Sequence, residues 1–131
     1  MRQSSNKTAS NIKQYKPTNL NDLDFKNSIS NNEVDVLVVV AYGNILPKWL
    51  LDIPSIMPVN IHFSLLPKYR GAAPVNHAIL NGETETGLTT FLIQKKVDTG
   101  DLLLQQSLPI DNSVTTGEAL SKLSFLNLIS C

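Results

Sequence analysis

Past residue 33 the chain changes character: Val34 and Asp35 lead into an unbroken apolar run over 36–42 that is rich in valine. A β-branched stretch with no polar alternation predicts a strand over 34–41 covered on both faces, as in a parallel sheet. Pro47 can open a short helix through Lys48, Trp49, Leu50 and Leu51, because proline is tolerated at the first helical position. Residues 58–63 form a second apolar segment of strand length, interrupted by Asn60 and His62. A loop marked by proline and glycine covers 64–74, and a helix over 75–80 ends at Asn81-Gly82. Further strands are expected over 88–94 and 102–110, the latter closed by the Asp111-Asn112-Ser113 turn. Thr115 with Glu118 three residues later is a capping-box pattern for a last helix carrying Leu120, Leu123, Leu126 and Ile129. Strands alternating with helices predict an α/β layered sheet with flanking helices.

The first 33 residues read differently. They hold seven of the 13 Asn and five of the 12 Ser, so this stretch has little to bury. Residues 1–16 carry Arg2, Lys7, Lys13 and Lys16 with no acid, and without an amphipathic pattern they read as a flexible polar leader. After the turn-forming 17–21, Leu20, Leu23, Phe25 and Ile29 suggest one side of a short helix.

Charge and composition remove several classes of function. Eleven basic residues balance 11 acidic ones, which argues against an autonomous nucleic-acid binder. A single cysteine, Cys131, leaves no internal disulfide framework and no cysteine-rich zinc site. The seven-residue apolar run at 36–42 is far below the ~20 residues of a membrane helix, so no membrane partner is expected. Glycines at 43, 71, 82, 87, 100 and 117 form neither a G-x-G dinucleotide fingerprint nor a phosphate loop. No G-x-S-x-G elbow is present, and His62 and His77 alone make no familiar zinc set.

What remains is a small polar group on a strand. Asn60 and His62, two residues apart, point to the same face of the predicted strand. They sit at its end, before a loop, where open α/β sheets bind ligands. An amide beside an imidazole suits acyl-type transfer: one hydrogen-bonds a developing oxyanion, the other moves a proton near neutral pH. A buried asparagine beside a satisfied core histidine gives the same spacing. A carboxylate to set the imidazole is available in Asp98-Thr99-Gly100-Asp101, although that tetrapeptide also reads as a simple turn.

The motif from Asn60-Ile61-His62-Phe63-Ser64-Leu65-Leu66-Pro67 to Lys68-Tyr69-Arg70-Gly71-Ala72-Ala73-Pro74 resembles the signature loop of the 10-formyltetrahydrofolate-dependent formyltransferases. Asp98-Thr99-Gly100-Asp101-Leu102, beginning 36 residues after His62, resembles the family's second motif. Residues 41–47 resemble the segment lining its folate pocket, and the likeness extends over roughly residues 16–125. The resemblance implies a Rossmann-like sheet, Asn60, His62 and Asp98 as a catalytic trio, and Ser64, Leu65, Leu66 and Pro67 as a tetrahydrofolate-contacting stretch. Asp101 would hold the turn. Arg70 would meet an anionic substrate or pair with a surface acid. His77 matches no motif position and is expected on a helix surface. Phe63 stands where the family often has a smaller residue, a matter of local packing.

Within the family, the segment from Arg70 through Gly87 is most similar to members that formylate initiator methionyl-tRNA. The implied co-substrate is 10-formyltetrahydrofolate, with no metal, and the implied location is the cytoplasm. Members acting on sugar nucleotides stand as the alternative acceptor class, and a non-catalytic remnant as the alternative of a different kind. The resemblance further implies a catalytic domain over 17–130 that is incomplete on its N-terminal side, with the family's C-terminal tRNA-binding barrel absent.

Overall fold

The computed structural model describes residues 12–94 and 99–126. It divides into two units, Met1–Asn32 and Glu33–Cys131. Within the first, helix α1 (Leu23–Ser30) is started by Asp22, whose carboxylate accepts from the backbone N–H groups of Asp24 and Phe25 at 3.0 and 3.2 Å. The expected stripe is only partly realised. Phe25 and Ile29 are half-buried, whereas Leu23 is exposed. Two residues correspond to about 200° around a helix, so Leu23 cannot share the side used by Phe25. Phe25 packs edge-on against Tyr15 with ring centroids 5.9 Å apart.

The second unit contains β1 (Val36–Val40), α2 (Lys48–Leu51), β2 (Met57–His62), α3 (Pro74–Leu80), β3 (Glu85–Leu92), β4 (Leu102–Pro109) and α4 (Thr116–Ser124). The four strands form one sheet in the order β1-β2-β3-β4. β1 and β2 run parallel, with Val39 opposite Asn60 and Val40 opposite Ile61. β3 is antiparallel to β2, pairing Asn60 with Phe91 and His62 with Thr89. β4 is antiparallel to β3, with a register shift between Thr90 and Phe91. The sheet is therefore mixed, and its parallel half carries the polar pair.

Two strands depart from the sequence expectation. Strand β3 starts at Glu85, three residues before the predicted start at 88, because Glu85, Thr86 and Gly87 pair with Pro109, Leu108 and Ser107. Cross-strand partners outweigh the poor strand propensity of glycine and glutamate. On β1 the expected double cover does not appear: Val36, Val38 and Val40 are 43%, 53% and 48% exposed, while Leu37 and Val39 are half-buried. Alternate side chains of a strand face opposite sides, so one face of β1 is packed and the other open.

The main core lies where α3 and α4 meet the sheet. Val75, Ile110, Ala119 and Leu123 are buried together, with Phe63, Ile79, Leu108, Val114 and Leu126 packed against them. Phe63 thus fills core space rather than lining the loop. Helix α4 is fixed at its start by the predicted capping box: Thr115 Oγ1 accepts from Glu118 N–H at 3.3 Å, and the Glu118 carboxylate accepts from Thr115 N–H at 2.8 Å. Leu120 is only partly covered, and Ile129 and Cys131 lie outside the described residues. No helix among the described residues is long and apolar enough to cross a membrane.

Candidate functional site

Parallel pairing of β1 and β2 sends both chains out of the sheet at the same end, so 41–47 and the loop after His62 emerge side by side. This is the carboxyl edge at which ligands of α/β sheets bind. Asn60 and His62 share one face of β2, as their spacing requires, with Val39, Phe91 and Thr89 as cross-strand neighbours. His62 is buried and Asn60 half-buried.

The imidazole has a defined orientation. His62 Nε2 lies 2.7 Å from the carbonyl oxygen of Tyr69. A carbonyl only accepts, so Nε2 carries hydrogen in both charge states of the ring.

Between these two residues the chain folds back on itself. The Ser64 hydroxyl, wholly buried, donates to Lys68 O at 2.7 Å, and Lys68 N–H donates to Leu65 O at 3.1 Å. Two residues that carry no motif tie this turn to the sheet. Thr89, wholly buried on β3, donates from Oγ1 to Ser64 O at 2.7 Å and accepts from Leu66 N–H at 3.2 Å. Gln105 on β4 donates from Nε2 to Leu66 O and to Thr89 Oγ1, both at 3.0 Å. Nothing in the local sequence marks either residue; only the β3–β4 register, which pairs them, gives them this role. Of the four positions implied as folate contacts, Ser64 and Leu66 are buried in this scaffold, Leu65 is half-buried and Pro67 exposed.

Leu65 rests on Gly87. A Cβ there would meet Leu65 Cδ2 at 2.5 Å and Gln106 O at 2.3 Å, so glycine is what lets the loop approach the strand. A hollow of about 200 Å³ beside it, bordered by Leu65, Pro67, Tyr69 and Thr86, includes neither Asn60 nor His62.

Asp98, the third member of the implied trio, lies outside the described residues. The turn just beyond it is anchored: Gly100 is buried, and a Cβ on it would come within 1.6 Å of Leu92 O. Leu92 N–H donates to Asp101 O at 3.0 Å, so Asp101 serves the turn through its backbone while its side chain is exposed. His77 is exposed on α3, as expected, and Arg70 is also at the surface. Among the described residues no cluster of His, Cys, Asp and Glu could hold a metal ion.

Residues 2–128 match the family described as formyl transferase. The chain is 47% identical over 113 residues to methionyl-tRNA formyltransferase of Clostridioides difficile, covering 86% of this chain and 37% of that protein. It is 57% identical over 89 residues to the protein of the same name from Pelobacter propionicus, covering 68% of this chain and 28% of the relative. Among solved structures, phosphoribosylglycinamide formyltransferase from Bacillus halodurans superposes with a TM-score of 0.67 at 26% identity, covering 77% of this chain and 52% of that one. This chain thus spans 37% and 28% of the length of these two curated relatives. On the match across nearly its whole length, the chain belongs to the formyl transferase family.

Proposed function

We propose that this chain carries the catalytic region of an enzyme that moves a formyl group from 10-formyltetrahydrofolate to the amino group of methionyl-tRNA. The observation that carries the reading is the placement of Asn60 and His62 on one face of β2, at the carboxyl edge of the sheet. The identities to proteins named methionyl-tRNA formyltransferase support this acceptor over a sugar nucleotide.

The chemistry rests on the groups present. The methionyl amine attacks the formyl carbon, forming a C–N bond and a tetrahedral oxyanion. Asn60 donates its amide hydrogen to that oxygen, a role pre-aimed by the strand. The amine must shed a proton and the folate nitrogen must gain one as its bond to the formyl carbon breaks. His62, held through Nε2, exchanges protons, and Asp98 sets its protonation and relays the proton through water. The donor lies along the 64–67 turn. Because Ser64 and Leu66 serve the scaffold, contact with the folate falls to backbone groups and to Leu65 and Pro67. Function in translation initiation, and so in the cytoplasm, accords with this acceptor.

The test is a chimera in which residues 33–126 of this chain replace the matching segment of the Clostridioides difficile relative. Formylation of methionyl-tRNA by the chimera supports the reading. A folded chimera that binds a 10-formyltetrahydrofolate analogue but transfers nothing would favour the non-catalytic remnant.

A further inference from the structure

We propose that Tyr69 is a positioning residue for His62, fixing the imidazole's tautomer and aim through a clamp on the turn that follows α3. The inference deepens the formyl-transfer reading, because it concerns the group assigned there to proton movement.

Three observations converge on this tyrosine. Its φ is +57°, in the left-handed region that a bulky side chain seldom adopts. That backbone setting accompanies a carbonyl turned onto His62 Nε2 at 2.7 Å. The far end of the ring is tied down: the hydroxyl donates to Glu83 Oε1 at 2.8 Å and accepts from Asn81 Nδ2 at 3.0 Å. Neither tether floats. Asn81 N–H donates to His77 O at 3.0 Å, Glu83 N–H to Ala78 O at 3.1 Å, and Lys68 Nζ holds the other Glu83 oxygen at 3.4 Å.

A glycine would meet the conformational demand at position 69 more cheaply. A tyrosine there makes sense if the ring is the handle that keeps an unfavourable backbone in place. The path then runs from the end of α3, through the Tyr69 hydroxyl and ring, to the Tyr69 carbonyl and the hydrogen on Nε2. Tyr69 touches no reacting atom. It acts through His62 by holding the hydrogen on Nε2.

Histidine tautomers are read directly by ¹⁵N NMR, and this chain has two histidines. Spectra of the 131-residue chain labelled with ¹⁵N-histidine are taken at about pH 8.5, roughly two units above an unperturbed imidazole. A His77→Gln sample assigns the signals. The expected result is a His62 ring with hydrogen on Nε2, and Tyr69→Phe moves its two nitrogen shifts toward the averaged values of a free imidazole. Glu83→Ala moves them the same way by less, and the double variant no further than Tyr69→Phe alone. A wild-type ring with hydrogen on Nδ1 overturns the proposal, as does an unchanged His62 signature in both variants. Should Tyr69→Phe fail to fold, Glu83→Ala decides alone, since it removes the acceptor of the tyrosine hydroxyl, with the surface pair to Lys68, and leaves the ring in place. None of these readouts depends on turnover, so a loss of this proposal is distinguishable from a loss of the formyl-transfer reading.

Discussion

Thr89 and Gln105 face each other across β3 and β4, and the Gln105 amide donates to the Thr89 hydroxyl at 3.0 Å. That hydroxyl already serves Ser64 O and Leu66 N–H, so one side-chain oxygen carries three bonds at the root of the loop that follows His62. Thr89→Val keeps the shape and strips the hub, leaving a buried carbonyl without its donor and an amide without its acceptor. The cost of groups left unsatisfied in this way is about 1–3 kcal/mol. Chemical denaturation is expected to show such a loss for Thr89→Val and less for Gln105→Ala, whose side chain is largely at the surface. A neutral Thr89→Val would show that the loop is held by other contacts.

Glycine substitutions are expected to divide by sign. Gly100→Ala puts a methyl 1.6 Å from Leu92 O, a backbone atom, so the turn after Asp98 must move. Gly87→Ala meets Gln106 O at 2.3 Å and the more yielding Leu65 side chain at 2.5 Å. Both should destabilise by about 1–3 kcal/mol or more, Gly100→Ala the more severely. Gly117→Ala, in the first turn of α4 with nothing within 4 Å, should instead stabilise by about 0.4–1 kcal/mol. Thermal melts of the three proteins check the order.

Substitutions in the proposed catalytic groups belong in the chimera with the Clostridioides difficile relative. His62→Ala should lower formyl transfer ~10²–10⁴-fold, the scale of a positioned acid–base group. Asn60→Ala should cost ~10²–10³-fold as the loss of an oxyanion donor. Asp98→Asn should reduce turnover with little change in affinity for the folate analogue, because its assigned task is proton relay. Parallel losses in analogue binding and turnover would mark these residues as pocket supports.

Acid should weaken the start of α4 in a defined direction. The Thr115 backbone N–H, and then its hydroxyl, hold the Glu118 carboxyl below the ordinary 4.5. A lowered folded-state pKa contributes stability above the unfolded value, and that contribution disappears as pH falls through the folded value. The stability gap between wild type and Glu118→Ala should therefore be full near neutrality and narrow below about pH 4.5. Urea titrations from pH 7 to pH 3 read it, and a constant gap would show that the carboxylate's charge is irrelevant to the cap.

The sequence made some of this legible and concealed the rest for physical reasons. The capping box of α4, the short helix that follows Pro47 and the shared face of Asn60 and His62 are local: each depends on residues within a turn or two of one another. Thr89, Gln105 and Tyr69 act over separations of 23 to 39 residues or through a backbone angle, so no periodicity announces them. The valine run shows the opposite failure. Its composition predicts cover on both faces, but composition reports a preference for burial, and the cover itself must come from other elements.

That valine run supports the last prediction. Val36, Val38 and Val40 present an open apolar row on β1, and among the described residues β1 pairs on one side with β2 only. An exposed strand edge and an exposed apolar face together favour contact between copies. Val38→Thr keeps the β-branched shape and adds a hydroxyl where water already reaches, so folding stability should shift by less than about 0.5 kcal/mol. Val38→Lys adds charge to the same face and should oppose association more strongly. Sedimentation over a range of concentrations should show wild type associating, Val38→Thr less so, and Val38→Lys least. If Val39→Thr, on the half-buried side of the strand, matched Val38→Thr in both stability and association, the two faces of β1 would not differ as the exposures require.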